Sequence, residues 1–416
     1  MSDTALAPDI ARARLLETVS AITQPKSLSL ADCLGQRLAA TLIAEADLPA
    51  TANAAVDGYA IHAEFLAANP DHEFKIVGRA AAGHPFTGAV NEGEAVRIFT
   101  GAIMPNEGHA PNAVAMHEMC RANDAGTLVK IDAQLKPASN SRPAGENIRI
   151  GETLIPAGTR LGPADIGIAA AAGHAKLSVH RRLIVGVISM GDEIVVAGDT
   201  PAYGQSYDSN LPMLHALLGA DGHDVRTFPI VPDRLDALVL AYRDAFEICD
   251  VVISSGGASD GDEDHTQSAI KEIGADLVFW RLAMKPGRPM AVGTLGHKRL
   301  FCLPGNPVAA FVCYRLLAAP AIAVMAGGIA RPILKMPVKA GFAHNKKPGR
   351  AEYLRVRLHP DDSDPNNISM VLHGRRGAGV LSSLTGADGL VEIPVENDSV
   401  TEGDYLTFIP FREAGL

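Results

Sequence analysis

The sequence predicts a multidomain α/β protein with four parts. A doubly wound α/β domain spans 182–330, and an elongated N-terminal unit takes 1–50 and 141–181. A β-domain over 51–140 interrupts that unit, and a C-terminal β-barrel fills 331–416. Three observations carry this. The 416 residues exceed what one hydrophobic core organises. Between 183 and 307, apolar runs of strand length alternate with helical patterns and break into glycine-, proline- and acid-rich loops, as in a wound sheet. Beyond 331, short alternating runs separated by Pro, Gly and Asp clusters read as a small barrel.

In chain order, 9–22 reads as a helix with Ala11, Leu15, Val19 and Ile22 on one stripe, a face that calls for a partner. A short strand at 27–30 and a helical pattern over 31–42 follow. The loop 44–59 leads into Asn53-Ala54-Ala55-Val56-Asp57-Gly58-Tyr59-Ala60, where an Asp before Gly is ordinarily a turn residue. Segment 74–131 is β-rich and contains Arg97-Ile98-Phe99-Thr100-Gly101; 143–159 is turn-rich strand and 163–172 a helix. The α/β domain reads as strand 183–189, a helix from about 210, strand 226–230, helix 233–247, strand 250–254 and helix 265–273. Strands 278–284, 289–294 and 299–303 and a helix from Pro307 complete it. Barrel strands are expected at 336–342, 351–358, 368–372, 389–393 and 405–409.

Four loops follow strand ends: Met190-Gly191-Asp192-Glu193, Ser255-Gly256-Gly257-Ala258-Ser259 running on to Asp264, Lys285-Pro286-Gly287-Arg288, and Leu303-Pro304-Gly305-Asn306-Pro307. In an open parallel sheet such loops gather on one edge, where ligands bind. Glycine lets backbone N–H groups approach an anion, acids can hold a cation, and bases can hold an anion. Any one of these loops is an ordinary turn; four together, with acids on two and bases on a third, make a site. Asp208 and Asn210, in Tyr207-Asp208-Ser209-Asn210, fit a helix cap equally well.

Composition narrows the function. A formal charge of −10 with no basic stripe argues against nucleic acid, so an anionic ligand needs a local basic pocket, with Arg281, Lys285 and Arg288 the first candidates. Lys346, Lys347, Arg350, Arg375 and Arg376 are further ones. The five cysteines are scattered, without C-x-x-C spacing, which favours a reducing, cytoplasmic setting over disulfides or zinc. No uninterrupted apolar stretch of about 18 residues occurs, so no membrane span is expected; 316–329, broken by Pro320, Gly327 and Gly328, reads as a core helix. No Ser-His-Asp pattern or histidine ligand spacing indicates covalent catalysis or a metal centre.

The Ser255-Gly256-Gly257-Ala258-Ser259…Asp264, Lys-Pro-Gly-Arg-Pro and Leu-Pro-Gly-Asn-Pro motifs, with the Asp57 and Thr100 loops in family order, resemble the molybdopterin molybdenumtransferases (the MoeA and gephyrin E-domain family) over nearly the whole chain. The resemblance implies an enzyme that takes adenylylated molybdopterin and molybdate, inserts molybdenum and releases AMP with Mg²⁺. Asp57, Asp208 and Asp264 are then expected at the metal and substrate. Lys285, Arg288 and Arg350 would face the oxyanion. Gly256, Gly257 and Ser259 would meet the pterin or its phosphate, with Thr100, Asp192, Glu193, Arg281 and Pro304 beside the substrate. It implies a homodimer with a site shared between subunits, and contacts with the adenylyltransferase and recipient molybdoenzymes. Two departures stand out: Glu152-Thr153 where the family has Glu-Asp, one residue short after Arg149, and Ala378 where it commonly has Ser. Arg376, Ser382 and Ser383 are candidates to compensate for Ala378. Two other readings are the preceding adenylylation of molybdopterin, and a non-catalytic cofactor carrier or scaffold.

Overall fold

The computed structural model describes residues 5–257, 265–360 and 367–411. The chain forms two compact units. One comprises Met1–Ala40, Ala157–Pro163 and Lys176–Leu416; the other comprises Thr41–Pro156 and Ala164–Ala175.

The centre of the first unit is a six-stranded sheet in the order Asp224–Thr227, Ile184–Ser189, Val251–Ser255, Lys298–Leu303, Ala291–Leu295, Asp276–Trp280. Its three central strands carry apolar residues on both faces because both faces are covered. Val185, Val187, Val251, Ile253, Phe301 and Leu303 face one core, with Leu214, Leu218 and the helix from Pro307. Ile188, Val252, Leu300 and Cys302 face the other, under helices Leu235–Ile248 and Thr266–Glu272. Continuous hydrophobic strands are what a doubly covered sheet requires.

The expected all-parallel sheet is corrected at one edge. Asp224–Thr227, Ile184–Ser189, Val251–Ser255 and Lys298–Leu303 run parallel, whereas Ala291–Leu295 is antiparallel to both its neighbours. Only Gly296 and His297 separate Ala291–Leu295 from the strand that follows, and Gly296 has φ +58°. A connection that short closes a hairpin and cannot make a parallel crossover. Asp276–Trp280 therefore points the same way as the four parallel strands, and the loop after it still opens on their carboxyl edge. The expected strand 278–284 ends at Trp280, because Arg281 takes φ +71°.

Ile184–Ser189 lies between Asp224–Thr227 and Val251–Ser255, so the chain leaves it first to one side and then to the other. The crevice above that reversal is the usual ligand position of such sheets.

The barrel is a closed ring of five strands: Ala351–Pro360, Ile368–Leu372, Met336–Ala340, Tyr405–Pro410 and Gly389–Ile393, the last pairing back with the first. Val356, Met370, Val391, Ile393 and Phe408 fill it. Met284–Lys285 pairs in parallel with Ala351 and Glu352, so the Lys285 loop is hydrogen-bonded to the barrel.

Two N-terminal expectations change. The helix is Pro8–Glu17, ending where Thr18 Oγ1 donates to the Leu15 carbonyl at 2.8 Å. Its apolar stripe is covered within the chain: Ala11 and Leu15 are fully buried in the core formed by the helix from Pro307. The expected helix 31–42 is a single turn, Leu30–Asp32, because Gly35 adopts φ +73° and the following backbone bridges Arg160 and Val179. The segment Pro307–Met325 is long and apolar enough to span a membrane by length and composition, yet 72% of its most apolar window is buried in the protein. It is a core helix.

The second unit holds a six-stranded mixed sheet in the order Ala113–Met116, Gly58–Ile61, Glu94–Ile98, Glu73–Ala80, Leu128–Ile131, Cys120–Ala122. Strand Gly58–Ile61 is buried at all four positions, which holds the preceding Asp57 in place at the sheet's end.

Candidate active site

At the carboxyl edge of the α/β sheet, one side chain ties three loops together. Asn210 Nδ2 donates to Ser255 Oγ at 2.8 Å and to the Gly305 carbonyl at 2.7 Å, while Ser255 Oγ donates to the Pro304 carbonyl at 3.3 Å. Asn210 is placed by Asp208, whose buried carboxylate oxygen Oδ1 accepts the N–H groups of Asn210 (2.9 Å) and Leu211 (3.1 Å) at the start of helix Asn210–Ala220. Asp208 is thus a helix cap. Its second oxygen makes no hydrogen bond to a described residue. Gly256 has φ +102°, and a Cβ there would stand 2.3 Å from the Met190 carbonyl, so only glycine fits this approach. Gly257 lies against the Met190 side chain. Asp192 and Glu193 are exposed on the adjoining loop; Asp192 and Asp233 exchange backbone-to-carboxylate bonds at 3.3–3.4 Å, which ties that loop to the next. Ser259 and Asp264 lie outside the described residues.

Next to Pro304 and Asn306 opens a cavity of 570 Å³ lined by Lys285, Arg288, Arg350, Arg355 and Arg376, with Glu352 the one carboxylate among its described lining residues. Arg355 is spent on structure, through Nε to Ser383 Oγ at 2.9 Å and Nη2 to the Arg375 carbonyl at 3.2 Å. Glu352, 4% exposed, joins Lys285 directly and Arg376 through His344. Lys285 Nζ stands 2.7 Å from Glu352 Oε1. His344 Nε2 lies 2.9 Å from Glu352 Oε2, and Arg376 Nη1 lies 2.8 Å from His344 Nδ1. Guanidinium can only donate, so His344 Nδ1 accepts and the proton sits on Nε2, donating to Glu352. Burial pushes the Glu352 carboxyl up, but the hydrogen bonds from Lys285 and His344 and the ammonium charge outweigh it and hold the group below its ordinary value.

The cavity therefore presents cations along its wall over one compensating carboxylate, which suits a small oxyanion with two negative charges. Ala378 lines it, and its carbonyl accepts the Val308 N–H at 2.9 Å. Of the candidates to compensate for the missing hydroxyl, Ser383 is fully buried and engaged with Arg355 and the Val380 carbonyl. Arg376 faces the cavity. Arg281 is not among its lining residues. Glu352 and His344 were missed by sequence reasoning, since neither belongs to a punctuated loop.

In the second unit, Asp57 Oδ1 accepts both the backbone N–H (2.8 Å) and the hydroxyl (2.7 Å) of Thr100. These two bonds hold the exposed Asp57 carboxyl below its ordinary value. Thr153 is exposed at the head of strand Thr153–Ile155. Among the described residues, no three His, Cys, Asp or Glu side chains converge as a metal site. Asp208 and the exposed Asp192 and Glu193 are described carboxylates of the sheet edge, and a cation held there would draw most of its oxygen ligands from elsewhere.

Three family descriptions match the chain in succession: the MoeA N-terminal region (domain I and II) over 6–173, a probable molybdopterin binding domain over 186–324, and the MoeA C-terminal region (domain IV) over 337–411. The chain is 32% identical over 407 residues to the molybdopterin molybdenumtransferase of Haemophilus influenzae, covering 97% of this chain and 98% of that one. It is 31% identical over 380 residues to that of a Nostoc species, covering 89% and 80%. The crystal structure of the molybdopterin biosynthesis MoeA protein of Pyrococcus horikoshii OT3 superposes with a TM-score of 0.82 at 25% identity, covering 98% and 100%.

Proposed function

The chain belongs to the MoeA family of molybdopterin molybdenumtransferases, and on that premise we propose how its residues divide the work of inserting molybdenum during cofactor biosynthesis. The substrates are molybdate and adenylylated molybdopterin, and AMP is released. The observation that carries the assignment is the cationic cavity of Lys285, Arg288, Arg350 and Arg376, which shares Pro304 and Asn306 with the glycine-rich edge of the sheet. Molybdate, a tetrahedral dianion, fits those cations. The pterin and its phosphate fit the edge formed by Gly256, Gly257, Pro304 and the Asp192–Glu193 loop, where glycine allows close backbone approach.

Lys285 is the group we assign to the oxyanion, held by Glu352 so that its ammonium is fixed before substrate arrives. Asp57, oriented by Thr100, is assigned to the substrate. Mg²⁺ would be held by one or two carboxylates, with Asp208 and Asp264 the candidates, and by the substrate diphosphate; its chemistry is to neutralise charge on the departing phosphate. A homodimer with a shared site remains part of the proposal, supported by the resemblance alone, because the helix Pro8–Glu17 stripe is already covered within the chain. The test is AMP release from adenylylated molybdopterin, with and without molybdate, by the wild type and by Lys285→Ala. Release that is indifferent to both would refute the assignment.

A further inference from the structure

A second cavity, of 640 Å³, lies in the first unit and shares no lining residue with the Lys285 cavity. Four guanidinium side chains line it: Arg37, Arg160, Arg315 and Arg331. Its one carboxylate among the described lining residues, Asp221, already accepts the Tyr314 hydroxyl at 2.6 Å. Two of the arginines are aimed by backbone contacts that leave most of their donors unused, Arg160 Nη2 to the Ala220 carbonyl at 2.7 Å and Arg315 Nη2 to the Phe411 carbonyl at 3.2 Å. The side chains of Arg37 and Arg331 make no hydrogen bond or ion pair with a described residue.

Crowding like charges is unfavourable, and the chain as a whole is acidic, so the cluster is not a by-product of a basic surface. Arg37 shows the effect: burial first, then Arg160 and Arg331, hold its guanidinium below the usual value, with Asp221 opposing. It lies close against Gly328, where a Cβ would stand 2.6 Å from its Nη1. His223, 7% exposed on the same lining, has an Nδ1 with no hydrogen-bond partner, and burial pushes its pKa down to about 4, so the ring is neutral. Leu34, Ile329, Leu334 and Phe411 supply an apolar wall.

We propose that this cavity is a binding site for a small phosphomonoester with a compact apolar or aromatic body, distinct from the reaction cavity. The guanidiniums match a tetrahedral dianion through paired N–H donors, His223 offers an unused polar atom, and the wall takes the body. A bare anion meets only the first of these. The proposal does not depend on what the Lys285 cavity turns over.

Calorimetric titration with phenyl phosphate, inorganic phosphate and molybdate tests it. Phenyl phosphate should bind the wild type about tenfold tighter than either bare anion, the scale of one good apolar contact. That binding should persist in Arg350→Gln, where the reaction cavity is weakened. It should fall at least about tenfold in Arg331→Gln, whose exposed side chain makes folding a minor concern, and in Arg37→Gln, checked for a native melting temperature. Molybdenum insertion should be unchanged in Arg331→Gln. Phenyl phosphate binding that is absent, that vanishes in Arg350→Gln, or that survives both Arg331→Gln and Arg37→Gln would overturn the proposal.

Discussion

Lys285 and Glu352 are register partners in a two-residue parallel pairing, and their side chains meet at 2.7 Å. The α/β domain supplies the cation and the barrel supplies the buried carboxylate that fixes it. Glu352 also repels an incoming anion, so Glu352→Gln separates the two effects. Turnover should fall about tenfold because Lys285 loses its fixed position, while the molybdate requirement should not rise. Steady-state kinetics across molybdate concentrations decide it; a raised requirement with unchanged turnover would contradict the positioning role.

The same carboxylate sets a pH dependence. Its folded pKa lies below the ordinary 4.5, so its contribution to stability is present above that value and is lost as pH falls through the folded pKa. Denaturant melts from pH 6 down to pH 3 should show an acid-side loss that is smaller in Glu352→Gln. Parallel curves for the two proteins would remove Glu352 from the account.

Asp57 is exposed and touches Thr100 twice, so replacing it should cost little stability and much activity. Asp57→Asn is expected to keep its melting temperature and lose about 100-fold in turnover or more, the range for a positioned catalytic carboxylate. Thr100→Val, which keeps the backbone bond and removes the hydroxyl, should lose less. A normally active Asp57→Asn would reduce Asp57 to a turn residue.

Asn210 is the joint between three edge loops. Asn210→Ala leaves the Gly305 carbonyl without this donor and Ser255 Oγ with only its bond to the Pro304 carbonyl, costing roughly 1–3 kcal/mol in urea unfolding. Affinity for the pterin substrate should fall with it. Unchanged stability would mean that water replaces the amide.

The parts legible in sequence are those that backbone chemistry dictates locally. The glycines of the strand-end loops were expected to let backbone approach an anion; the structure shows Gly256 and Gly287 packed against the protein itself, with the Met190 carbonyl 2.3 Å and the Cys313 sulfur 2.5 Å from their would-be Cβ positions. The barrel strands were legible from alternation. The antiparallel course of Ala291–Leu295 was not, since the two-residue Gly296-His297 turn decides it. The helical pattern over 31–42 did not survive, because Gly35 turns the backbone to φ +73°. Glu352 and His344 carried no signal at all: the acid acquires meaning only when strand register sets it beside Lys285, and the histidine only when the fold brings it between Glu352 and Arg376.

The most direct measurement follows AMP release from adenylylated molybdopterin while molybdate is titrated, in wild type and Lys285→Ala. Release should depend on molybdate, with a requirement raised roughly 30-fold or more in the variant, the scale of one charged contact of about 2 kcal/mol. Release without molybdate, or the same molybdate requirement in both proteins, would contradict it.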